Sequence, residues 1–259
     1  MKSLPKISIV IPSYNKVKFI RRTLESIFSQ EYKNLEVIIQ DGGSSDGTLD
    51  LIKYFSKKYP KVLSFESKKD GGQLDAINKG ISKATGDIVS FINADDCYCK
   101  GALAAVSNAY ILNPSSIWFA GLGKVVNEND IEIAKPVTLY KSVLFKLNSY
   151  SLLITTNYLM QPSVFITLEA FNKYGPFSGT SNFVMEYDMW LKMGCIKMPI
   201  LINKPISQFR IEPSTKTKTM FASLLAEDEK IVKKYTNNPV LLMLHKLNNL
   251  GRVVIGRFV

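Results

Sequence analysis

The chain has 259 residues, near the upper size of one continuous core, so one domain with a short appendage is expected. Its 46% hydrophobic and 21% charged content is that of a globular protein rather than a disordered one. The formal charge of +11 favours polyanionic partners: nucleic acid, anionic lipid or phosphorylated small molecules.

Lys6 to Pro12 (KISIVIP) is a β-branched run short enough for a buried parallel strand. Val17, Ile20, Leu24, Ile27 and Phe28 then recur at helical spacing, which predicts an amphipathic helix to about Gln30. Leu35 to Gln40 reads as a second strand, closed by DGGSSDG, and Ser45 or Asp46 is placed to cap a helix through Leu49, Ile52 and Phe55. A third strand over Val62–Glu66, a helix in GGQLDAINKGISKA and a fourth strand over Asp87–Asn93 follow. This alternation predicts an α/β fold with a parallel sheet covered by helices on both faces. Beyond residue 115, Trp118–Val126 and Ile131–Thr138 flank NEND and suggest a hairpin. Helix and loop over 140–158, a short strand over Ser163–Ile166, and helices near 185–195 and 219–235 complete the domain. After Pro239, Met243, Leu247, Leu250 and Val254 fall on one helical stripe.

The opening MKSLPKISIVIPSYN breaks its apolar run at once, so no secretory leader is expected. No apolar stretch approaches the ~20 residues of a spanning helix. Cys97, Cys99 and Cys195 read as reduced packing thiols, which suits a cytoplasmic compartment. His245, in the basic tail, is expected to face solvent.

Ligands of open parallel sheets bind outside the carboxyl ends of the strands. Four such ends here are polar: SYN, DGGSSDG, ESKKDGG and NADD. They gather Asp41, Asp70, Asp95 and Asp96 at one edge of an otherwise basic protein. Crowded carboxylates need a cation or hydrogen-bond donors to offset their repulsion. A hard divalent ion, Mg²⁺ or Mn²⁺, bridging carboxylate and substrate phosphate meets that need.

The ordered set VIPSYN, DGGSSDGT, DGGQLDAINKGISKATGD and FINADD, followed by QPSVF (161–165), MEYDMWLK (185–192) and FRIEPSTKT (209–217), resembles the family 2 glycosyltransferases over about residues 5–218. The resemblance implies a GT-A fold, a Rossmann-like and mostly parallel central sheet flanked by helices, with residues 219–259 as a basic helical extension. It implies inverting transfer of a sugar from a nucleoside diphosphate, UDP first, to an acceptor hydroxyl in cell-surface polysaccharide or glycolipid assembly. By position, Pro12, Ser13, Tyr14 and Asn15 would line the nucleoside pocket, and Asp41 would accept a hydrogen bond from the base. Asp70 and Asp75 would lie near the donor sugar. Asn93-Ala94-Asp95 stands where the family has Asp-x-Asp, with Asp95 holding the metal and Asp96 supporting it. Two departures are evident. Asn93 replaces the first carboxylate, and Lys16-Val17 stands where an acidic residue often follows the asparagine. Arg210 and Lys216 are candidates for the diphosphate, and Glu212 replaces a frequent histidine.

The family places its general base just before Y-D-x-W-L, which selects Glu186, with Asp188 the alternative. Residues two apart on a helix point to different faces, so at most one of them should face the pocket. Asp188 has Lys192 one turn on, a surface ion-pair spacing; Glu186 shares its face with Trp190 and Met193, an apolar setting that raises a carboxyl pKa. Plainer readings stand beside these: Asp41 as a turn cap, Asp70 and Asp75 as a helix start and a solvated charge, Asp95 and Asp96 as a helix N-terminal pair. From Lys230 onward the tail has basic residues and no acidic ones, and would lie on an anionic membrane or dock on its own domain or a partner. Two rival functions remain: an inactive nucleotide-sugar-binding protein of the same fold, argued from Asn93 and Glu186, and a nucleic-acid-binding protein, argued from charge alone. The second lacks interleaved aromatic and basic motifs, so no nucleic acid is expected.

Overall fold

Runs that must avoid water on both faces build the centre of the sheet. In the computed structural model, which describes residues 4–179, 184–211 and 221–256, Ile7–Ser13 (β1), Leu35–Asp41 (β2) and Ile88–Phe91 (β4) are buried almost throughout. Leu63–Ser67 (β3) forms one edge. Cys97–Tyr98 (β5), Trp118–Val126 (β6), Val164–Thr167 (β7) and Ile200–Arg210 (β8) complete the order β3-β2-β1-β4-β7-β6-β8-β5 among the described residues. Strands β1 to β4 pair in parallel, as the alternation predicts. Beyond β4 the sheet is mixed: β7 is antiparallel to both β4 and β6, while β6 runs parallel to β8.

Side chains alternate across β1, and the core divides accordingly. Val10 packs with Ile38, Ile77, Trp118 and Trp190 on one face. Ile7, Ile9 and Ile11 pack with Leu24, Val37 and Leu103 on the other. The second face is covered by Ile20–Phe28 (α1), Thr48–Lys58 (α2) and Ala102–Leu112 (α4). The first is covered by Gln73–Ser82 (α3), Lys135–Leu147 (α5), Tyr150–Thr155 (α6), Leu168–Tyr174 (α7) and Met185–Gly194 (α8). Phe221–Tyr235 (α9) adds Leu224, Ile231 and Val232 to this same core, and Pro239–Gly256 (α10) lies against α6 and α9. The expected boundary at residue 218 lies outside the described residues.

Three expectations change. The first helix starts at Ile20, and Val17 is exposed in the preceding loop. The hairpin reduces to a single bridge, Val126 to Glu132, and α5 begins at Lys135. Pro136 explains the switch: it has no N–H for a strand ladder but suits the first turn of a helix. His245 is buried rather than solvent-facing. Its Nδ1–H meets the Ile154 carbonyl at 3.0 Å, and Asn249 lies 3.1 Å from Nε2. Arg252 Nη1 donates to the buried Asp228 carboxylate at 2.5 Å. So α10 docks through these polar residues together with Leu241 and Leu242, leaving Met243, Leu247 and Leu250 exposed; the Val254 side chain lies outside the described ones. Of the three thiols, all free, Cys97 is buried and Cys99 partly so, whereas Cys195 is exposed and is not the packing thiol expected.

Gly80 on α3 sets how closely that helix approaches β1. A Cβ there would stand 2.3 Å from Val10 Cγ1. Alanine gains about 1 kcal/mol of helix propensity but incurs about 1–3 kcal/mol of overpacking. We expect Gly80→Ala to lower the urea midpoint; an unchanged or raised midpoint would contradict the close approach.

Candidate active site

Parallel β1, β2, β3 and β4 send their carboxyl-end loops to one sheet edge, and an open cavity of about 720 Å³ lies there. Pro12, Ser13, Tyr14 and Lys16 line it from β1, Gly42 and Gly43 from β2, and Lys69 and Asp70 from the loop after β3. Asn93, Ala94 and Asp95 follow β4; Gln161, Met185, Glu186 and Phe209 close the far wall. The Ser13 hydroxyl and the Gln161 side-chain oxygen are buried without a hydrogen-bond partner. Such groups are uncommon, and a polar ligand in the cavity would satisfy them.

The loops are tied to one another. Asn15, in the left-handed region at φ 50°, donates its N–H to Ser44 Oγ and accepts the Ser45 N–H, so it joins two loops without lining the cavity. Asp41 is buried and turned into its own loop, accepting from the Gly43 and Ser44 N–H groups and the Ser44 and Ser67 hydroxyls. These bonds describe the turn cap, and Asp41 is not among the lining residues. Gly42 lets Tyr14 and Asp70 come together, because a Cβ there would meet both at 3.2–3.3 Å. Asp75 faces away from the cavity: it accepts the Gly71 N–H, and its ion pair with Lys79 holds its pKa down.

The NADD loop is backed by a buried arginine. Arg210 donates from Nε to the Asp95 carbonyl (2.8 Å), from Nη1 to the Asn127 carbonyl (2.6 Å) and from Nη2 to Asp130 (2.5 Å). Its side chain is 1% exposed, so the expected contact with a diphosphate is corrected: protein acceptors occupy it. Asp96 is also fully buried, accepting the Arg210 N–H at 2.8 Å and an amide hydrogen of Asn93 at 3.2 Å. Burial, then the Asp95 charge, raises its pKa. The Asn93 amide oxygen accepts from Gln73 Nε2 at 2.7 Å. Within the NADD loop only Asp95 presents a carboxylate to the cavity, 2.6 Å from the Lys16 ammonium.

Helix α8 separates its two acids as the spacing predicts. Glu186 is half-buried in the cavity wall, and burial, with the Asp228 charge, pushes its carboxyl up to about 7 against the opposing Lys141. Asp188 turns away and is buried. The expected pair with Lys192 does not form; Lys192 reaches the Tyr174 carbonyl, and Asp188 takes Lys234 (3.3 Å) and the Tyr235 hydroxyl (3.1 Å) from α9. Lys216 and Glu212 lie outside the described residues. Sequence reasoning quoted Lys69, Gln73, Gln161 and Phe209 only within motifs and gave none of them a role; residue type alone does not single them out. Among the described residues, no three His, Cys, Asp or Glu side chains group as a metal site. One cavity carboxylate, Asp95, still suits a hard ion that draws its other ligands from phosphate and water.

Comparison with known proteins identifies the class. The glycosyl transferase family 2 pattern matches residues 8–174, and the chain belongs to that family. An uncharacterised glycosyltransferase of Rickettsia typhi is 25% identical over 226 residues, which cover 85% of this chain and 68% of that protein. One from Mycobacterium tuberculosis is 30% identical over 145 residues, 54% of each chain. Among solved structures, a mannosyltransferase from Pyrobaculum calidifontis in complex with GDP-Man and Mn²⁺ superposes with a TM-score of 0.72 at 19% identity, covering 94% of this chain and 69% of that one. TarS of S. aureus with UDP-GlcNAc gives 0.60 at 19% identity, covering 89% and 71%. The protein is a glycosyltransferase with the α/β architecture of these GT-A structures.

If Arg210 serves the loop and not a ligand, its loss falls on stability. We expect Arg210→Ala to cost about 2–4 kcal/mol by urea denaturation, from several charged hydrogen bonds lost together. A variant of native stability whose nucleotide affinity alone is lost would contradict this assignment.

Proposed function

We propose that this chain is an inverting glycosyltransferase that moves a sugar from a nucleoside diphosphate, UDP first, to an acceptor hydroxyl. The observation that carries the reading is the shared cavity. A carboxyl raised to about 7, Glu186, and the Asp95 loop line the same open space at the carboxyl edge of the sheet. Neighbouring structures hold GDP-Man and UDP-GlcNAc, which supports a nucleotide-sugar donor and leaves the base open.

In this reading Pro12, Ser13 and Tyr14, with Gly42 and Gly43, bound the nucleoside. Asp41 and Asn15 hold the loops that shape that end, and Asp70 lies toward the sugar. Asp95 would hold Mn²⁺ or Mg²⁺, which when bound offsets the charge that develops on the diphosphate. The acceptor oxygen attacks the anomeric carbon while the bond to the β-phosphate oxygen breaks, its electron pair leaving with the diphosphate. The acceptor proton passes to Glu186, which must therefore be ionised. Since its pKa stands at about 7, the ionised fraction and the rate both rise as pH increases through 7. Incubation with radiolabelled UDP- and GDP-sugars should show transfer or slow donor hydrolysis with an acid limb near pH 7. Glu186→Gln should keep donor binding and lose about 10²–10⁴-fold in rate. Binding without turnover in the native chain would favour an inactive binding protein, and full turnover in Glu186→Gln would remove Glu186 from the chemistry.

No helix among the described residues is long and apolar enough to cross a membrane. A peripheral position on the inner, anionic membrane face, next to a lipid-linked acceptor, is supported by the outward sides of α5 and α10. Leu139, Val143 and Leu147 are exposed on α5, and Met243, Leu247 and Leu250 on α10. The charged residues of both helices are all basic, and Lys135, Lys146 and Lys246 are exposed among them, while Lys141 and Arg252 turn inward toward Glu186 and Asp228. Apolar area flanked by lysine matches an anionic lipid surface. The chain should sediment with phosphatidylglycerol vesicles and much less with phosphatidylcholine, and Leu247→Glu should weaken the binding severalfold; equal partition to both lipids would contradict it.

A further inference from the structure

Three neighbouring residues set the charge at one end of the cavity: Asn93 is neutral, Asp95 is acidic and Lys16 is basic. The fold brings them to one place. Lys16 Nζ lies 2.6 Å from Asp95 Oδ2, with both side chains on the cavity wall. The Lys16 backbone is fixed: its N–H donates to Thr48 Oγ1 at 2.8 Å, and its carbonyl accepts the N–H groups of Phe19 and Ile20 at the start of α1.

Stability does not explain a lysine here. A partly exposed ion pair, with side chains 30% and 15% exposed, contributes only about 0–1 kcal/mol. A cation beside a helix N-terminus also opposes the helix dipole. What the pair does achieve is to hold an ammonium at the mouth of a cavity whose other anionic wall residues are Asp70 and Glu186. An ammonium with three rotatable donors suits phosphate oxygens, as a point charge needing no fixed geometry. The same ammonium occupies one oxygen of the carboxylate that would hold a divalent ion.

We propose that Lys16 is a diphosphate-binding residue of the donor site, held ready on Asp95, and that a divalent ion reaches Asp95 only by displacing it. The proposal rests on the nucleotide-sugar reading above. It makes nucleotide affinity largely independent of metal and makes binding of the metal alone weak.

Calorimetry with UDP and GDP, in EDTA and in Mn²⁺, tests it on the full chain, its Lys16→Gln and Lys16→Arg variants, with Mn²⁺ alone followed by electron paramagnetic resonance. The native chain should bind one of the nucleotides in EDTA. Lys16→Gln should weaken that binding about tenfold or more, Lys16→Arg should keep most of it, and Mn²⁺ alone should bind Lys16→Gln more tightly than the native chain. Equal binding of nucleotide by the native chain and Lys16→Gln in EDTA would overturn the role of Lys16, as would native binding that needs Mn²⁺ absolutely. If neither nucleotide binds under any condition, the nucleotide-sugar reading fails and takes this proposal with it.

Discussion

Everything at the site depends on the parallel pairing of β1 with β2 and β4, and of β2 with β3. Strands that share a direction must deliver their carboxyl-end loops to the same edge, whatever those loops contain. Burial on both faces fixes this arrangement, because a slipped strand would turn Val10, or Ile9 and Ile11, out of the core cluster each belongs to. The chemistry is then a matter of which loop residues face inward.

The loops keep their shape through polar groups that never reach the cavity. Asp41, Asn15, Asp96 and Arg210 spend their hydrogen bonds on neighbouring backbone, and three of them are buried: Asp41, Asp96 and Arg210. A buried polar group with its partners in place is tolerated; one without them costs about 1–3 kcal/mol. The acids left facing the cavity are accordingly few: Asp70, Asp95 and Glu186. Asp95 is paired with Lys16. Glu186 has burial, Asp228 and Lys141 acting on it, and Asp228 is itself paired with Arg252 of α10. The last helix of the chain is thus connected electrostatically to the carboxyl proposed as the base.

The first half of the fold is legible in the sequence because two clean periods alternate there, and each burial pattern has a single structural solution. The second half is less so. Strand β8 carries exposed Lys204 and Pro205 within Ile200–Arg210, so its pattern resembles a loop, and Pro136 turns an expected strand into a helix. At the site, the motifs locate the right loops but not the direction of each side chain. Arg210 and Asp41 look like ligand groups by residue type, yet only the three-dimensional packing reveals that protein acceptors and donors have already claimed them. His245 and the outward leucines of α10 invert the usual amphipathic expectation for the same reason: the polar face found partners in Ile154 and Asp228.

The most direct test of the account is a crystal structure of the chain with an intact UDP- or GDP-sugar and Mn²⁺. It should show the pyrophosphate between Lys16 and the Asp95 loop, with the anomeric carbon open toward Glu186. A nucleotide bound elsewhere, or a sugar held on the side away from Glu186, would contradict it.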